Sequence, residues 1–170
     1  GVIHQKGLGK FEVNKKEALT LYAKAAKKGN ALAYYYRAAC YRYDNSCGTK
    51  KDIDWTLDYY SQANSKGLKI AATELGILYY FGKEGIAFDI SKAKSFFDDA
   101  HGEYRATSFL GGLYRYKKQP KEAFKFSQEA AQLGSKVSHF RLVEYWYFED
   151  RYKMGTKDLS KAKYHLLEAK

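Results

Sequence analysis

A repeated sequence pattern constrains the fold of this chain more than any other feature. Segments 71–79 and 106–114 both read small–x–x–x–Leu–Gly–x–Leu–Tyr, and weaker copies begin at Ala33 and Ser138. The four copies start 38, 35 and 32 residues apart. Self-similarity at a spacing of this size is typical of arrays in which each unit packs only on its neighbours. The chain is therefore predicted to consist of stacked repeat units.

A second pattern follows each copy of the first and also begins at a small residue. These small residues are Ala18, Thr56, Ala93, Ala123 and Ala162. In both patterns the small and apolar residues recur at three-, four- and seven-residue intervals, which is the stripe of an amphipathic helix. Each unit is therefore predicted to be a pair of helices. The expected fold is all-α: an α/α right-handed superhelix, or solenoid, of four to five helix hairpins with incomplete terminal repeats.

Polar and glycine residues mark where the second helix of each pair starts and stops. Good N-cap residues precede four of these helices: Asn14, Asp52, Asp89 and Asp158. The remaining one starts at Pro120, whose missing N–H is not needed at a first helical position. The glycines predicted to close the helices are Gly29, Gly67, Gly102 and Gly134. The resulting units are 1–29 (partial), 30–67, 68–102, 103–134 and 135–170.

The register of the repeat also bears on the ends of the chain. Residues 1–7 align with residues 76–82, so the chain is expected to begin in the middle of a first helix. It ends before a closing glycine is reached. An uncapped solenoid exposes an apolar face meant for a neighbouring repeat. The 170 residues are therefore predicted to form one array that is a piece of a longer one.

The pattern Ala-x-x-x-Leu-Gly-x-Leu-Tyr-x-x-Gly, followed by Asp-x-x-Lys-Ala, resembles the Sel-1-like repeat. This family is related to the tetratricopeptide repeat but has longer and more variable inner loops. The copy that begins at Ala71 and ends at Gly102 matches best, and the copies at Ala33 and Ser138 are degenerate. The resemblance covers nearly the whole chain and implies a tetratricopeptide-like α-solenoid. It says much less about function, because one fold serves many functions.

A binding surface is predicted on the first helices, which line the concave side of helical-pair solenoids. Counting from the buried stripe, the residues expected there are Tyr35, Arg42, Tyr43, Thr73, Ile77, Tyr80, Phe81, Arg105, Arg115, Tyr116, Phe140, Glu144 and Tyr147. Tyrosine and arginine dominate the energetics of protein interfaces, so the expected partner is a protein or peptide. An alternative for some of these residues is packing against the first helix of the next unit.

The charge balance and hydropathy bear on other partner classes. The chain has 30 Lys and Arg against 19 Asp and Glu, a net charge of +11. Its lysine pairs are spread along the whole sequence, as at Lys15–Lys16, Lys50–Lys51 and Lys117–Lys118. Spread charge does not mark a single nucleic-acid footprint, so no nucleic-acid partner is expected. No apolar run is long enough to span a bilayer, and no membrane insertion is predicted. The sequence does not set the oligomeric state.

The only two cysteines, Cys40 and Cys47, leave two alternatives open. A disulfide can form if Cys47 lies on a loop that folds back on the helix. On one continuous helix the two residues would be about 10.5 Å apart along the axis, which forbids the bond. A disulfide would favour an oxidising, exported location, which the sequence otherwise leaves undetermined. Zinc is not expected, since no other ligand lies nearby in sequence.

Motifs for catalysis are sparse, and the chain is predicted to have no catalytic residues, metal or cofactor. None of the four histidines (His4, His101, His139 and His165) has a metal-ligand spacing. Ser91 with Lys94, and Ser160 with Lys163, spell the Ser-x-x-Lys of penicillin-recognising enzymes, but the companion motifs are missing. The function predicted first is a protein-interaction scaffold. The alternatives are an immunity-type protein that neutralises a secreted toxin, as some bacterial members of the resembled family do, and a weak penicillin-binding hydrolase.

Overall fold

The chain folds into helices throughout the part that the structure describes. A computed structural model describes residues 14–43, 47–147 and 157–170, and within these ranges it has nine α-helices and no strand. In chain order they are α1 (Lys15–Lys27), α2 (Ala31–Arg42), α3 (Ile53–Ser65), α4 (Lys69–Phe81), α5 (Ile90–Asp99), α6 (Tyr104–Tyr116), α7 (Pro120–Gln132), α8 (Lys136–Tyr147) and α9 (Leu159–Glu168). Helices α2, α4, α6 and α8 carry the first sequence pattern and are called first helices. The others are called second helices.

The second helices begin where the capping residues predict. In α1, the backbone N–H of Glu17 donates to the side-chain oxygen of Asn14 at 3.0 Å. The same kind of bond starts three other second helices, at Asp52, Asp89 and Asp158. Helix α7 has no side-chain cap and starts with Pro120. The start of every second helix could therefore be predicted from the local sequence.

The predicted closing glycines are confirmed at three of four positions. Three of these glycines have a positive φ and directly follow the C-cap residue of a second helix: Gly29 (83°), Gly67 (79°) and Gly134 (92°). A left-handed residue there lets the chain turn back while its N–H still bonds to the last helical carbonyls. Gly102 is the exception, because α5 already ends at Asp99. The N–H of Gly102 instead donates to the hydroxyl of Thr107.

The chain divides into two compact units, one ending at Phe88 and the other beginning at Asp89. In the N-terminal unit, α1 packs on α2, α2 on α3, and α3 on α4. Fully buried alanines contribute to its core: Ala18, Ala38, Ala63 and Ala71. Because helix separation depends on the side chains at the contact, alanine allows the helices to lie close together.

In the C-terminal unit, α5 packs on α6, α6 on α7, α7 on α8, and α8 on α9. A close approach occurs at Gly111 in α6. A Cβ atom there would lie 3.1 Å from the Ser127 hydroxyl and 3.4 Å from the Ala123 carbonyl oxygen, so α7 would have to shift by a few tenths of an ångström to admit one. Gly76, which occupies the same register in α4, is also buried.

Residues at equivalent positions of the repeat are buried to a similar degree. The residues that start the first pattern are all buried: Ala33, Ala71, Ala106 and Ser138. The residues that start the second pattern are buried as well: Ala18, Thr56, Ala93, Ala123 and Ala162. Each copy of a pattern therefore places the same position inside, as expected for hairpins that share one packing scheme.

A disulfide between Cys40 and Cys47 closes the connection that follows α2. Helix α2 ends before Cys47, and the two Cα atoms are 5.1 Å apart, a separation that the bond can span. Both cysteines are buried in a cluster with Ala18 and Tyr22 of α1. The Thr49 hydroxyl donates to the Cys40 carbonyl at 2.7 Å and holds the returning chain against α2.

Candidate functional site

The predicted binding surface of the N-terminal unit retains five apolar side chains with exposed area. Tyr43 and Phe81 are 55% and 47% exposed. Tyr35, Ile77 and Tyr80 are partly buried. The rings of Tyr80 and Phe81 pack edge to face with centroids 5.1 Å apart, so they form one continuous apolar patch at the end of α4.

Thr73 does not belong to this surface, which corrects the sequence prediction. Its side chain is fully buried, and its hydroxyl donates to the backbone carbonyl of Lys69 at 3.1 Å. The physical reason is that residues 71–76 of α4 are all buried. This half of the helix has no solvent face, so counting from one buried stripe does not identify an exposed side.

Arg42 also differs from the exposed anchor that the sequence predicted. Its side chain is only 11% exposed and lies 2.6 Å from the carboxylate of Glu74. Its Nε donates to the carboxylate of Glu84 at 3.2 Å, and Lys51 lies 3.8 Å from the same carboxylate group. Arg42 therefore joins α2 to α4 and to the chain that follows α4.

Tyr60 of α3 hydrogen-bonds to Arg42 in this cluster, and the pKa values of both groups are shifted. Burial raises the pKa of the Tyr60 hydroxyl above its usual range, and the nearby charge of Glu74 raises it further. Burial alone would lower the pKa of Arg42, but its hydrogen bond to Glu74, the charge of Glu74 and its interactions with Tyr60 together outweigh that effect, and the pKa is raised. Both groups stay protonated at physiological pH. Glu74 and Glu84 were missed by sequence reasoning, although a carboxylate inside the buried run 71–76 is itself a sign of a partner.

The predicted surface of the C-terminal unit is more open. Its exposed aromatic members are Tyr116 (69%), Phe140 (56%) and Tyr147 (47%). Arg115 of α6 and Glu144 of α8 form an ion pair of 2.8 Å between the two first helices, with 46% and 30% of the side chains exposed. Unlike the Arg42 cluster, this pair remains within reach of a partner.

A cleft of about 350 Å³ opens between the starts of α6 and α8. It is lined by Tyr104, Arg105, Ser108, Phe109, Ser135, Val137 and Arg141. Arg141 donates to the carbonyl and the hydroxyl of Ser108 at 2.6 and 3.1 Å. Of these residues, Arg105 belongs to the binding surface predicted from the sequence, and the repeat register places Ser108 on the same side. The sequence feature that could have indicated the place of Arg141 is Gly112. It occupies the repeat position that Ile77 has in α4, and its missing side chain leaves room for the guanidinium.

The repeats of this chain match the model of a known protein family. The family model described as the Sel1 repeat matches residues 1–30, 31–68, 69–98, 106–135 and 138–170. The chain belongs to the Sel1 repeat family. Sel1 repeat proteins are in general non-catalytic scaffolds for protein–protein interaction. No curated protein sequence matches this chain.

Solved structures with the Sel1 repeat share the fold at low sequence identity. A Sel1 repeat protein from Oxalobacter formigenes is 23% identical, with a TM-score of 0.86 over 99% of this chain and 68% of that chain. A protective antigen present in uropathogenic Escherichia coli strains, displaying an SLR fold, is 21% identical with a TM-score of 0.84. This chain covers only 36% of the length of that antigen, and 99% of the chain is matched. These similarities confirm the predicted solenoid fold and show nothing about partners.

The two Ser-x-x-Lys motifs lie on second helices of the Sel1 repeats, and none of their Ser or Lys residues lines the cleft between α6 and α8. Ser91 and Ser160 are exposed in the first turns of α5 and α9. Lys94 donates to Asp98, and this hydrogen bond raises the pKa of Lys94 above its usual range. A lysine must lose its proton to activate a serine. Lys94 is therefore poorly suited to serve as a general base for Ser91.

The three described histidines of the Sel1 array also lie on or against second helices, and His4 lies outside the described residues. His101 is 2.8 Å from the carboxylate of Glu129. His139 and His165 contact each other in a second cleft, between α7, α8 and α9.

Among the described residues, no helix has both the length and the apolar composition needed to cross a membrane.

Proposed function

We propose that this chain is a non-enzymatic scaffold that binds a protein or peptide partner on the first-helix face of its Sel1 repeats. The observation that carries the proposal is the exposure of large apolar side chains on α6 and α8. These side chains are Tyr104, Tyr116, Val137, Phe140 and Tyr147, each between 47% and 69% exposed. Exposed apolar surface that is rimmed by polar groups marks interaction sites.

The second helices offer a contrast. Within the bounds of α1, α3, α5 and α7, Trp55 is the one exposed large apolar side chain. Helix α9 exposes more, with Leu166 and Leu167 among them. Its exposed set includes one aromatic ring, Tyr164, whereas four of the five on α6 and α8 are aromatic. Aromatic rings supply the anchors of most protein interfaces, so the first-helix face is the better candidate.

Charged groups beside the aromatic side chains support a protein partner. The ion pair between Arg115 and Glu144 presents both signs of charge on the same face. Arg105 and Arg141 add positive charge at the cleft between α6 and α8. A mixed rim around apolar anchors is the usual anatomy of a protein interface. A nucleic-acid site would instead need positive charge along a continuous track.

The experiment compares two double variants of equal design. In the first, Tyr116 and Phe140 on the first-helix face are replaced by serine. In the matched control, Leu133 and Leu167 on the second-helix side, which are 43% and 55% exposed, are replaced by serine. Partners are captured from an extract of the native source with the parent protein, identified by mass, and titrated against all three proteins.

We expect the first-helix variant to bind the identified partner at least tenfold more weakly, because truncating two anchors typically costs more than about 2 kcal/mol. The control should bind as the parent does. Equal affinity of the first-helix variant and the parent would place the site elsewhere. A tight one-to-one complex with a secreted toxin would identify the scaffold as an immunity protein. Loss of a measured hydrolysis rate in Ser91→Ala would contradict the non-enzymatic proposal.

A further inference from the structure

The cleft between α7, α8 and α9 has no role in the proposed function. Its volume is about 550 Å³, and residues of α7, α8 and α9 in the C-terminal unit line it. His139 from α8 and His165 from α9 line it, together with Lys136, Tyr164 and Glu168. His139 is 9% exposed, so one imidazole lies at the buried end of the cleft.

The two imidazoles meet through equivalent atoms. Nδ1 of His139 lies 3.0 Å from Nδ1 of His165, and Nε2 of His139 lies 3.1 Å from the carbonyl oxygen of Ala131. A carbonyl oxygen only accepts hydrogen bonds, so Nε2 of His139 carries a proton. In the neutral pair, Nδ1 of His139 is therefore unprotonated, and its lone pair accepts a hydrogen bond from the Nδ1–H group of His165.

We propose that this histidine pair binds a divalent transition-metal ion, with Nδ1 of His139 and Nδ1 of His165 as its protein ligands. An ion held by two imidazoles at about 2.0–2.1 Å in tetrahedral geometry places the two nitrogen atoms about 3.3 Å apart. The observed 3.0 Å separation needs to widen by only a few tenths of an ångström. The spacing of the two nitrogen atoms is thus close to that of a metal-bound pair, and the rings must rotate so that both lone pairs point at the ion.

The surroundings of His139 match those of a metal ligand. A ligating histidine usually donates its second N–H to a carbonyl or carboxylate, which fixes its tautomer and orientation. Ala131 supplies that acceptor here. On binding, His165 moves its proton from Nδ1 to Nε2 through solvent, so the neutral pair accepts the ion with no net release of protons. Both ligands are then neutral imidazoles with Nε2 protonated.

The remaining coordination positions are filled by water. Within residues 14–43, 47–147 and 157–170, no group of three or more His, Cys, Asp or Glu side chains could hold a metal ion. Glu168 follows His165 by one helical turn and lines the same cleft, where its charge favours a cation. Because two imidazoles do not select strongly by geometry, affinity should follow the general order for nitrogen ligands, with Cu²⁺ bound more tightly than Ni²⁺ or Zn²⁺.

The test titrates the untagged protein with CuCl₂, NiCl₂ and ZnCl₂ in a buffer that does not bind metals, at pH 7.5. Calorimetry measures affinity and stoichiometry, and the ¹⁵N resonances of the imidazoles are followed with Zn²⁺. We expect one ion per chain, with the Nδ1 resonances of His139 and His165 shifting together. We also expect a rise in the thermal midpoint, since a ligand of the folded state stabilises it.

Two variants separate this site from other histidines. His165→Gln should weaken Cu²⁺ binding at least tenfold. His101→Gln removes a histidine outside the cleft and should leave the affinity unchanged. Equal affinities of these two variants would overturn the proposal, as would no saturation below 1 mM. Replacing the buried His139 risks unfolding α8, so its role is tested in the parent protein: an Nδ1 resonance of His139 that stays unmoved at saturation also overturns the proposal.

Discussion

The guanidinium of Arg42 lies 2.6 Å from the carboxylate of Glu74, and both side chains are about nine-tenths buried. This ion pair connects the first helix of one repeat to the first helix of the next. The carboxylate of Glu84 provides a further hydrogen bond to the same guanidinium. A buried pair adds little net stability compared with an apolar pair, but removing Glu74 takes away the shorter carboxylate contact of Arg42 and leaves its buried charge less fully compensated.

Replacing Glu74 by alanine should therefore lower the free energy of unfolding by about 3 kcal/mol, measured by urea denaturation. The matched control is Glu144→Ala, which breaks the more exposed pair with Arg115. It should cost no more than about 1 kcal/mol, because solvent screens exposed pairs. Equal losses in the two variants would show that burial of the Arg42 cluster has no energetic consequence.

Adjacent glycines in α6 should respond in opposite directions. Gly111→Leu should lower stability by about 1–3 kcal/mol, because even a Cβ there lies 3.1 Å from Ser127. Gly112→Ala should raise stability by up to about 1 kcal/mol, since alanine favours the helix and its Cβ lies 3.5 Å from Arg141, an ordinary contact. Thermal unfolding of both variants is the measurement. A stabilised Gly111→Leu would contradict the close approach of α6 and α7.

The disulfide should be detectable and stabilising. Alkylation of the unfolded, unreduced protein should add no mass, since both cysteines are bonded. Replacing Cys40 and Cys47 together by alanine should lower the free energy of unfolding by about 2–3 kcal/mol, the value expected for closing a short loop. Two alkylated thiols in material from the native source would place the protein in a reducing compartment instead.

The pair of histidines should make stability depend on pH. Burial, followed by the neighbouring His139, lowers the pKa of His165 below its ordinary value of 6.5, and Glu168 opposes this only in part. The unfolded chain therefore binds more protons than the folded one between the lowered pKa and 6.5. The free energy of unfolding should be at its full value above pH 6.5 and fall as the pH drops through that window.

Urea denaturation at a series of pH values measures this dependence. His165→Gln should show a shallower loss of stability on acidification than the parent protein. An unchanged slope in His165→Gln would mean that other groups govern acid sensitivity.

Features set by neighbouring residues could be predicted from the sequence. Asn14 caps α1 because its side chain reaches an N–H three residues ahead, and Gly29 closes the helix by its own backbone conformation. Equivalent residues such as Gly76 and Gly111 share their burial because repeats that stack on like neighbours must pack alike. Local chemistry and repetition together are enough to specify the solenoid.

Features set by distant partners could not be predicted in this way. Arg42 was expected to face a partner, yet its carboxylates lie 32 and 42 residues later in the chain. The contact between His139 and His165 joins residues 26 apart, in positions where other repeats carry different side chains. Departures from the repeat consensus depend on which neighbour each residue meets. Only the packed structure supplies that information.

The space above Gly112 has a consequence for how this array can evolve. The guanidinium of Arg141 occupies it and reaches Ser108 from there. A branched side chain at position 112 would displace that guanidinium and remove its hydrogen bonds to the hydroxyl and carbonyl of Ser108. Substitutions at positions 112 and 141 should therefore covary among descendants of this array.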